Sequence, residues 1–325
     1  MSQLGQHSEP TGTGSRFSDD LMFRAANAYY VGEQNQVQIA ESLGVSRPTV
    51  SRLLSEARRR GIVEIRVHRP QGEGAAELEE QCATALGIKR VFVSTGSNVA
   101  SVGARLASGV NRALDEADLQ TGDALLISSG QTLYEVVQQD LSPRPGVDVA
   151  PMVGGLDEPE PWWQTNELTR LYAQRVGGRA HYLFAPALPS ALLSESLKLE
   201  PSFKRVTGLW DTAKAALIGV GAPPLLRSQR AAFFPREQRA LTASVGDVCS
   251  RFFDGAGEPV PYEGAERLVA ITPQQLTAMP AAIAVAAGPE KVASIVAAVR
   301  GGYLNQLVTD AATARMLVEQ AAAVR

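Results

Sequence analysis

Between residues 19 and 60 the apolar positions recur at spacings of three and four. Leu21, Met22, Ala25, Ala28 and Tyr29 mark a helix over 19–31 that Gly32 ends. A second helix is predicted over 37–43. A third is predicted from Ser46, a good N-cap, to about Arg60, with Pro48 in its first turn and Gly61 closing it. Ala40 sits where two helices must approach closely. Gly44 follows at a turn that demands a positive φ, and Val50 and Leu53 are spaced to fold the third helix onto the second. These offsets predict a helix-turn-helix, whose second helix has the shape of the DNA major groove. Residues 62–67 then alternate apolar and polar as a short strand, and Arg69-Pro70-Gln71-Gly72-Glu73-Gly74 reads as a hinge. The expected organisation is a tail over 1–15, a helix-turn-helix domain over 16–70 and a larger domain over 71–325.

Beyond the hinge the pattern changes to short apolar runs alternating with helical stretches. Strands are expected at 90–94, 124–128, 147–153, 215–220, 282–287 and 304–309, with an extended segment at 180–184. Helices are expected at 101–117, 132–139, 167–176, 290–299 and 311–322. Such alternation predicts an α/β domain with a mostly parallel sheet covered on both faces. Two further strands, 249–253 and 267–271, flank the turn Asp254-Gly255-Ala256-Gly257 and are expected to form a hairpin-like insert.

Charge sharpens the division. The formal net charge is −3, so the whole molecule is no basic coat for nucleic acid. Residues 16–69 nevertheless hold nine Arg against six acidic residues, a net of +3, whereas residues 71–325 carry −5. A small DNA-binding module on an acidic body fits this. Cys82 and Cys249 offer neither a disulfide framework nor metal-site spacing, and His7, His68 and His181 are scattered. No metal or cofactor is expected, and a reduced, cytoplasmic compartment is the simplest inference. The polar, Gly/Ser/Thr-rich residues 1–15 read as disordered and not as a signal peptide. The Ala-rich stretch 281–299 is interrupted by Pro289, Glu290 and Lys291, so no membrane span is expected.

On the third helix, Val50, Leu53, Leu54 and Ala57 face inward, which leaves Arg47, Pro48, Ser51, Arg52 and Ser55 outward. Arginine grips guanine bidentately, and hydroxyls meet bases or phosphates. The expected DNA contacts are Gln36, Ser46, Arg47, Pro48, Thr49, Ser51, Arg52 and Arg58. For Arg58-Arg59-Arg60, phosphate contact competes with capping of the helix dipole.

In the larger domain three strand-to-helix junctions are rich in small residues: Ser128-Ser129-Gly130-Gln131-Thr132, Gly219-Val220-Gly221-Ala222 and Ala287-Gly288-Pro289-Glu290-Lys291. Backbone N–H groups at such junctions hold anions, and ligands in open α/β sheets lie outside the carboxyl ends of the strands. A lysine in a first helical turn is disfavoured by the dipole, so Lys291 is better explained by an anion there. Ordinary glycine turns are the alternative. Asp254 is placed either on sugar hydroxyls or in a simple Asp-Gly turn. Asn166 and Glu167 open a helix, where capping competes with ligand contact. Trp162 and Trp163 either stack on a sugar ring or cover the core, and Arg179 is either an anion contact or a solvated loop residue.

Three segments make the chain resemble the SorC family of sugar-binding transcriptional regulators, within the DeoR-like group: AESLGVSRPTVSRLLSEARRRGIVEIRV, GDVCSRFFDGAGEPV and AAGPEKVASIVAAVRGGYLNQLVTDAATARMLV. The resemblance runs from Phe17 to the C-terminus. It implies a helix-turn-helix joined to an effector domain resembling sugar-phosphate isomerases and glucosamine-phosphate deaminases. It further implies a sugar, sugar-phosphate or polyol effector, operator DNA as partner, and a homodimer or homotetramer on paired sites. The effector residues would be Ser129, Gly130, Gln131, Thr132, Gly219, Gly221, Asp254 and Lys291. Relatives often carry a Trp where this chain has Ser129. The expected function is therefore a non-enzymatic, effector-controlled regulator of carbohydrate metabolism. Two readings compete: a sugar-phosphate isomerase or deaminase with a DNA-binding head, for which no paired acid and base stand out, and an architectural DNA-binding protein with a purely oligomerising body.

Overall fold

A computed structural model describes residues 17–32, 34–63, 74–94, 101–227 and 235–323. The tail expected over 1–15 lies outside these residues, as does most of the strand expected over 62–67 and of the hinge. The chain divides into two units, Met1–Pro70 and Gln71–Arg325.

Among its described residues the first unit is three helices: α1 (Asp19–Tyr30), α2 (Gln36–Leu43) and α3 (Arg47–Arg59). Each starts on a side-chain cap. Ser18 accepts from Leu21, Asn35 forms a reciprocal box with Gln38, and Ser46 accepts from Thr49. Gly44 ends α2 at φ 65°, in the left-handed region the turn requires. Met22, Ala25, Ile39, Ala40, Val50, Leu53, Leu54 and Ala57 interlock as this unit's core.

The second unit runs α4 (Ala75–Leu86), β1 (Arg90–Ser94), α5 (Val102–Glu116), β2 (Ala124–Ile127), α6 (Gln131–Val137), β3 (Asp148–Pro151), α7 (Thr165–Val176), β4 (Arg179–Ala180), α8 (Ala191–Leu197), α9 (Pro201–Thr212) and β5 (Ala215–Gly219). It continues with α10 (Gln238–Ala243), β6 (Gly246–Val248), β7 (Arg251–Phe253), α11 (Pro273–Ala278), β8 (Ala281–Val285), α12 (Val292–Arg300), β9 (Gln306–Asp310) and α13 (Ala311–Ala323). Seven strands form one parallel sheet in the order β1-β9-β8-β5-β2-β3-β4. Strand residues alternate between two cores. Val91, Leu126, Ile218, Ala284 and Leu307 pack on one face with α9, α12 and α13. Phe92, Leu125, Leu217, Ile283 and Val308 pack on the other with α5, α6 and α7. Burial on both faces explains the near-continuous apolar runs.

The insert differs from expectation. β6 and β7 pair antiparallel, and Cys249-Ser250 is their turn, both residues at positive φ (50° and 62°). Residues 267–271 form no strand. They contribute a single antiparallel bridge, Ala270 to Val153, and the carbonyls of Ala270 and Ile271 receive the Arg251 guanidinium at 2.9 and 2.8 Å.

At the β4 edge Asp148 accepts from Arg179 at 2.8 and 3.1 Å and contacts His181 Nε2 at 3.0 Å. Arg179 is thus committed to an ion pair. Burial opposes ionisation of Asp148, but the hydrogen bonds and charges of Arg179 and His181 outweigh it and hold the pKa below the usual aspartate value. A depressed folded-state pKa stabilises the protein above the unfolded value, about 3.9, and the effect vanishes as pH falls through the folded value. Asp148→Asn is therefore expected to melt about 2 °C below the parent at pH 7, with the gap closing below about pH 4 in a calorimetric pH series.

Candidate functional site

The outer side of α3 is the candidate nucleic-acid surface. Ser46, Arg47, Pro48, Ser51, Arg52 and Arg58 are exposed there, with Thr49 and, on α2, Gln36 partly buried. Ser46 and Thr49 serve each other first, because their hydroxyls lie 2.8 Å apart and the Thr49 N–H donates to Ser46 Oγ. The arginine triplet divides. Arg59 pairs with Glu56, and Arg60 pairs with Asp19 and Glu56. Arg58 makes only a long, 3.5 Å contact to Ser55 Oγ, and Arg47 and Arg52 have no hydrogen-bond partner among the described residues. The free cations of this unit's α3 are thus spaced along one exposed face.

The second site is a cavity of about 440 Å³ at the carboxyl ends of β8, β5 and β2. Its position follows from topology. The chain leaving β2 runs to β3 and β4 on one side, whereas the chain leaving β5 runs to β8 and then β9 on the other, so the loops after β2 and β5 diverge. Ser129, Gly130, Gln131, Thr132, Gly219, Gly221 and Lys291 all line this cavity, although they come from three separate junctions.

Two of those junctions share a backbone device. Gly130 (φ 136°, ψ 148°) opens α6, and Gly288 (φ 121°, ψ 146°) opens the turn Pro289–Lys291 before α12. Only glycine adopts this region readily. Neither start has a side-chain cap. The Gly130 N–H donates to the Trp162 carbonyl at 2.9 Å and the Gly288 N–H to Thr313 Oγ1 at 2.9 Å. At α6 the N–H groups of Gln131, Thr132 and Leu133 precede the first intrahelical bond, Tyr134 to Gly130, and have no acceptor among the described residues. Ser128 Oγ ties the first two junctions, accepting the Gly219 N–H at 2.8 Å and donating to the Ser129 carbonyl at 3.1 Å.

Lys291 is partly buried in this setting. Burial lowers its pKa, against the neighbouring charge of Glu290, so its ammonium has lost hydration that a bound anion would replace. Arg227 also lines the cavity. It is hydrogen-bonded to the Ala222 carbonyl at 2.7 Å and ion-paired with Asp247, whose other oxygen accepts the Ser250 N–H at 3.2 Å. Burial and the Asp247 charge push the Cys249 thiol up, so it is no activated nucleophile.

Asp254 is a correction. It does not line the cavity. Its Oδ1 accepts the N–H groups of Ala256 at 2.9 Å and Glu258 at 3.0 Å, the local turn that an Asp-Gly sequence forms. The carboxylate that does reach the cavity is Asp247, seven residues earlier on β6. Asp247, Arg227 and Glu135 were missed by sequence reasoning, although GDVCSRFFDG contains both aspartates. Asn166 is likewise structural: its side chain bridges the N–H and carbonyl of Leu183 at 2.9 and 3.2 Å.

A head that reads DNA joined to an α/β body with a ligand cavity is the organisation of a ligand-responsive transcriptional regulator, and known proteins agree. Residues 71–319 match the sugar-binding domain family, and residues 33–72 match the Crp-like helix-turn-helix domain. The sorbitol operon regulator of Klebsiella pneumoniae is 31% identical over 313 residues, covering 93% of this chain and 99% of that one. The deoxyribonucleoside regulator of Bacillus subtilis (strain 168) is 32% identical over 314 residues, covering 93% and 98%. The crystal structure of the full-length sorbitol operon regulator SorC superposes with a TM-score of 0.77 at 30% identity, covering 93% of this chain and 100% of that chain. The chain belongs to the SorC family of sugar-binding transcriptional regulators, and it pairs a helix-turn-helix with a parallel-sheet sugar-binding domain. Among the described residues no helix is long and apolar enough to cross a membrane.

Proposed function

We propose that the cavity holds a phosphorylated sugar or polyol and that its occupancy controls the affinity of α3 for operator DNA of a carbohydrate operon. The observation that carries this reading is the partly buried Lys291 ammonium in the same cavity as the uncapped start of α6. Two donors of that kind match the charge and oxygen count of a phosphate. Hydroxyls and amides of Ser129, Gln131, Thr132 and Ser250 supply partners for sugar hydroxyls. The relatives named above are regulators of a sorbitol operon and of deoxyribonucleosides, which supports a sensor over an active site. A single helix-turn-helix makes a small interface with DNA, so the reading includes a homodimer or homotetramer on paired half-sites.

A thermal-shift screen of the full chain against sugar phosphates, polyol phosphates and their unphosphorylated forms tests the proposal. A ligand at a hundredfold its Kd adds about 2.7 kcal/mol of stability. Stabilisation confined to phosphorylated compounds is expected. Lys291→Ala should weaken it by about 1.5–3 kcal/mol, or roughly 10- to 150-fold in Kd. Stabilisation by unphosphorylated sugars that survives Lys291→Ala would overturn the anion reading, and turnover of any of these compounds would overturn the sensor.

A further inference from the structure

The turn Pro161–Trp163 carries two indoles that the anion contacts leave unused. Both are partly buried and line the cavity. Trp163 is in addition packed against the core on the α9, α12 and α13 side of the sheet. Trp162 instead meets Tyr134 of α6 edge-on, with centroids 6.4 Å apart and planes at 61°. Its main chain is tied to the anion loop, because its carbonyl accepts the Gly130 N–H at 2.9 Å. The turn itself is closed by the Trp163 N–H donating to the Glu160 carbonyl at 3.0 Å. The main chain that carries this indole is therefore held next to the residue that opens α6, and the side chain lines the same cavity as Gln131, Thr132 and Leu133.

Building on that phosphate reading, we propose that Trp162 is a stacking platform that selects cyclic sugar phosphates over their open-chain counterparts. A closed pyranose or furanose ring offers one rigid face of C–H bonds, whose positive ends suit the electron-rich face of an indole. An alditol phosphate carries the same phosphate and hydroxyls but has no fixed face, and it loses several rotors on binding. The Gly130–Trp162 hydrogen bond sets the two subsites side by side. A ring whose phosphate sits at the start of α6 thus lies over Trp162.

The test uses the full chain, with calorimetry and thermal shift against inorganic phosphate, glucose 6-phosphate, glucitol 6-phosphate, ribose 5-phosphate and ribitol 5-phosphate. The parent is expected to bind each cyclic compound about tenfold more tightly than its alditol. Trp162→Ala should bring the two near parity by weakening the cyclic one, and Trp162→Tyr should keep most of the preference. Trp162→Leu, which keeps bulk without a π face, serves if the alanine variant does not fold. Equal binding of cyclic and open forms by the parent, or equal weakening of both by Trp162→Ala, overturns the platform. In that case phosphate binding that Lys291→Ala abolishes leaves the anion pocket standing. If no compound, phosphate included, shifts melting or gives heat, the pocket reading falls and the platform falls with it.

Discussion

The double variant Arg47→Ala/Arg52→Ala is expected to keep the parent's melting temperature and to lose sequence-specific DNA binding by about 30-fold at least, and up to about 10⁴-fold. Both side chains are exposed on α3, and neither has a protein partner to abandon among the described residues, so folding is indifferent to their removal. A bidentate arginine–guanine contact contributes about 1–3 kcal/mol of discrimination, and two such contacts give the range stated. Arg58→Ala should behave differently. As a phosphate contact it should weaken binding to all sequences alike and reduce the slope of log K against log salt by about one. Arg59→Ala should do little to DNA affinity, because its guanidinium is engaged by Glu56. Fluorescence anisotropy on a duplex selected from random sequence by the parent protein measures all three. Retention of specific binding within threefold by the double variant would remove α3 from base recognition.

The second large effect is expected at Gly103, where α5 and α6 touch. A Cβ there would stand 2.4 Å from Glu135 Cβ, 2.5 Å from the Thr132 carbonyl oxygen and 2.8 Å from the Val136 nitrogen. Two of those three atoms are backbone, so the helices must separate. Overpacking of this kind costs about 1–3 kcal/mol, or roughly 3–10 °C in a unit of this size. The damage extends to the cavity. Glu135 accepts the Gly103 N–H at 2.9 Å and the Gln131 side-chain amide at 2.9 Å, so pushing α6 away moves Gln131 and Thr132 together. Gly103→Ala should therefore melt lower and also bind inorganic phosphate or a sugar phosphate more weakly at a temperature where it is still folded. Gly208→Ala in α9 is the control. Its Cβ would meet open space, and alanine there should raise stability by about 0.5–1 kcal/mol. An unchanged melting temperature for Gly103→Ala would contradict the packing.

Much of the architecture could be read from local pattern, for reasons that particular elements show. β1 and β8 are runs of buried apolar residues closed by polar or glycine-rich junctions, and α3 has a cap, an early proline and a four-residue apolar lock. α4, α8, α9, α10 and α11 were not legible. α4 fully buries only Cys82 and is otherwise mostly alanine and glutamate. α8 buries only Leu197 in seven residues, and α9 has Gly208 between its two buried residues, Val206 and Trp210. A stripe that thin gives no periodic signal. The β6–β7 turn was hidden because cysteine and serine rarely take positive φ, while Asp254-Gly255 nearby advertised a turn of its own.

The cavity shows the same limit. Gly130 and Lys291 announce themselves through junction chemistry. Arg227 follows an unmarked Pro-Pro-Leu-Leu segment, and Asp247 is known for what it is only by its partner, twenty residues away in sequence. Long-range pairing leaves no trace in spacing.

The order of strands in the sheet also dictates the order in which the molecule comes into being. Among the described residues β1 lies at an edge of the sheet and pairs with β9 alone: Arg90 pairs with Gln306 and Ser94 with Asp310. α1, α2 and α3 are complete by Arg59 and hold one another through contacts close in sequence. On the ribosome the DNA-reading head thus folds early, as local helical contacts do, while β1 emerges soon after it and waits for β9, which follows every other strand of the sheet. The fold of the reading head is thus complete in a nascent chain long before the sheet that carries the cavity can close.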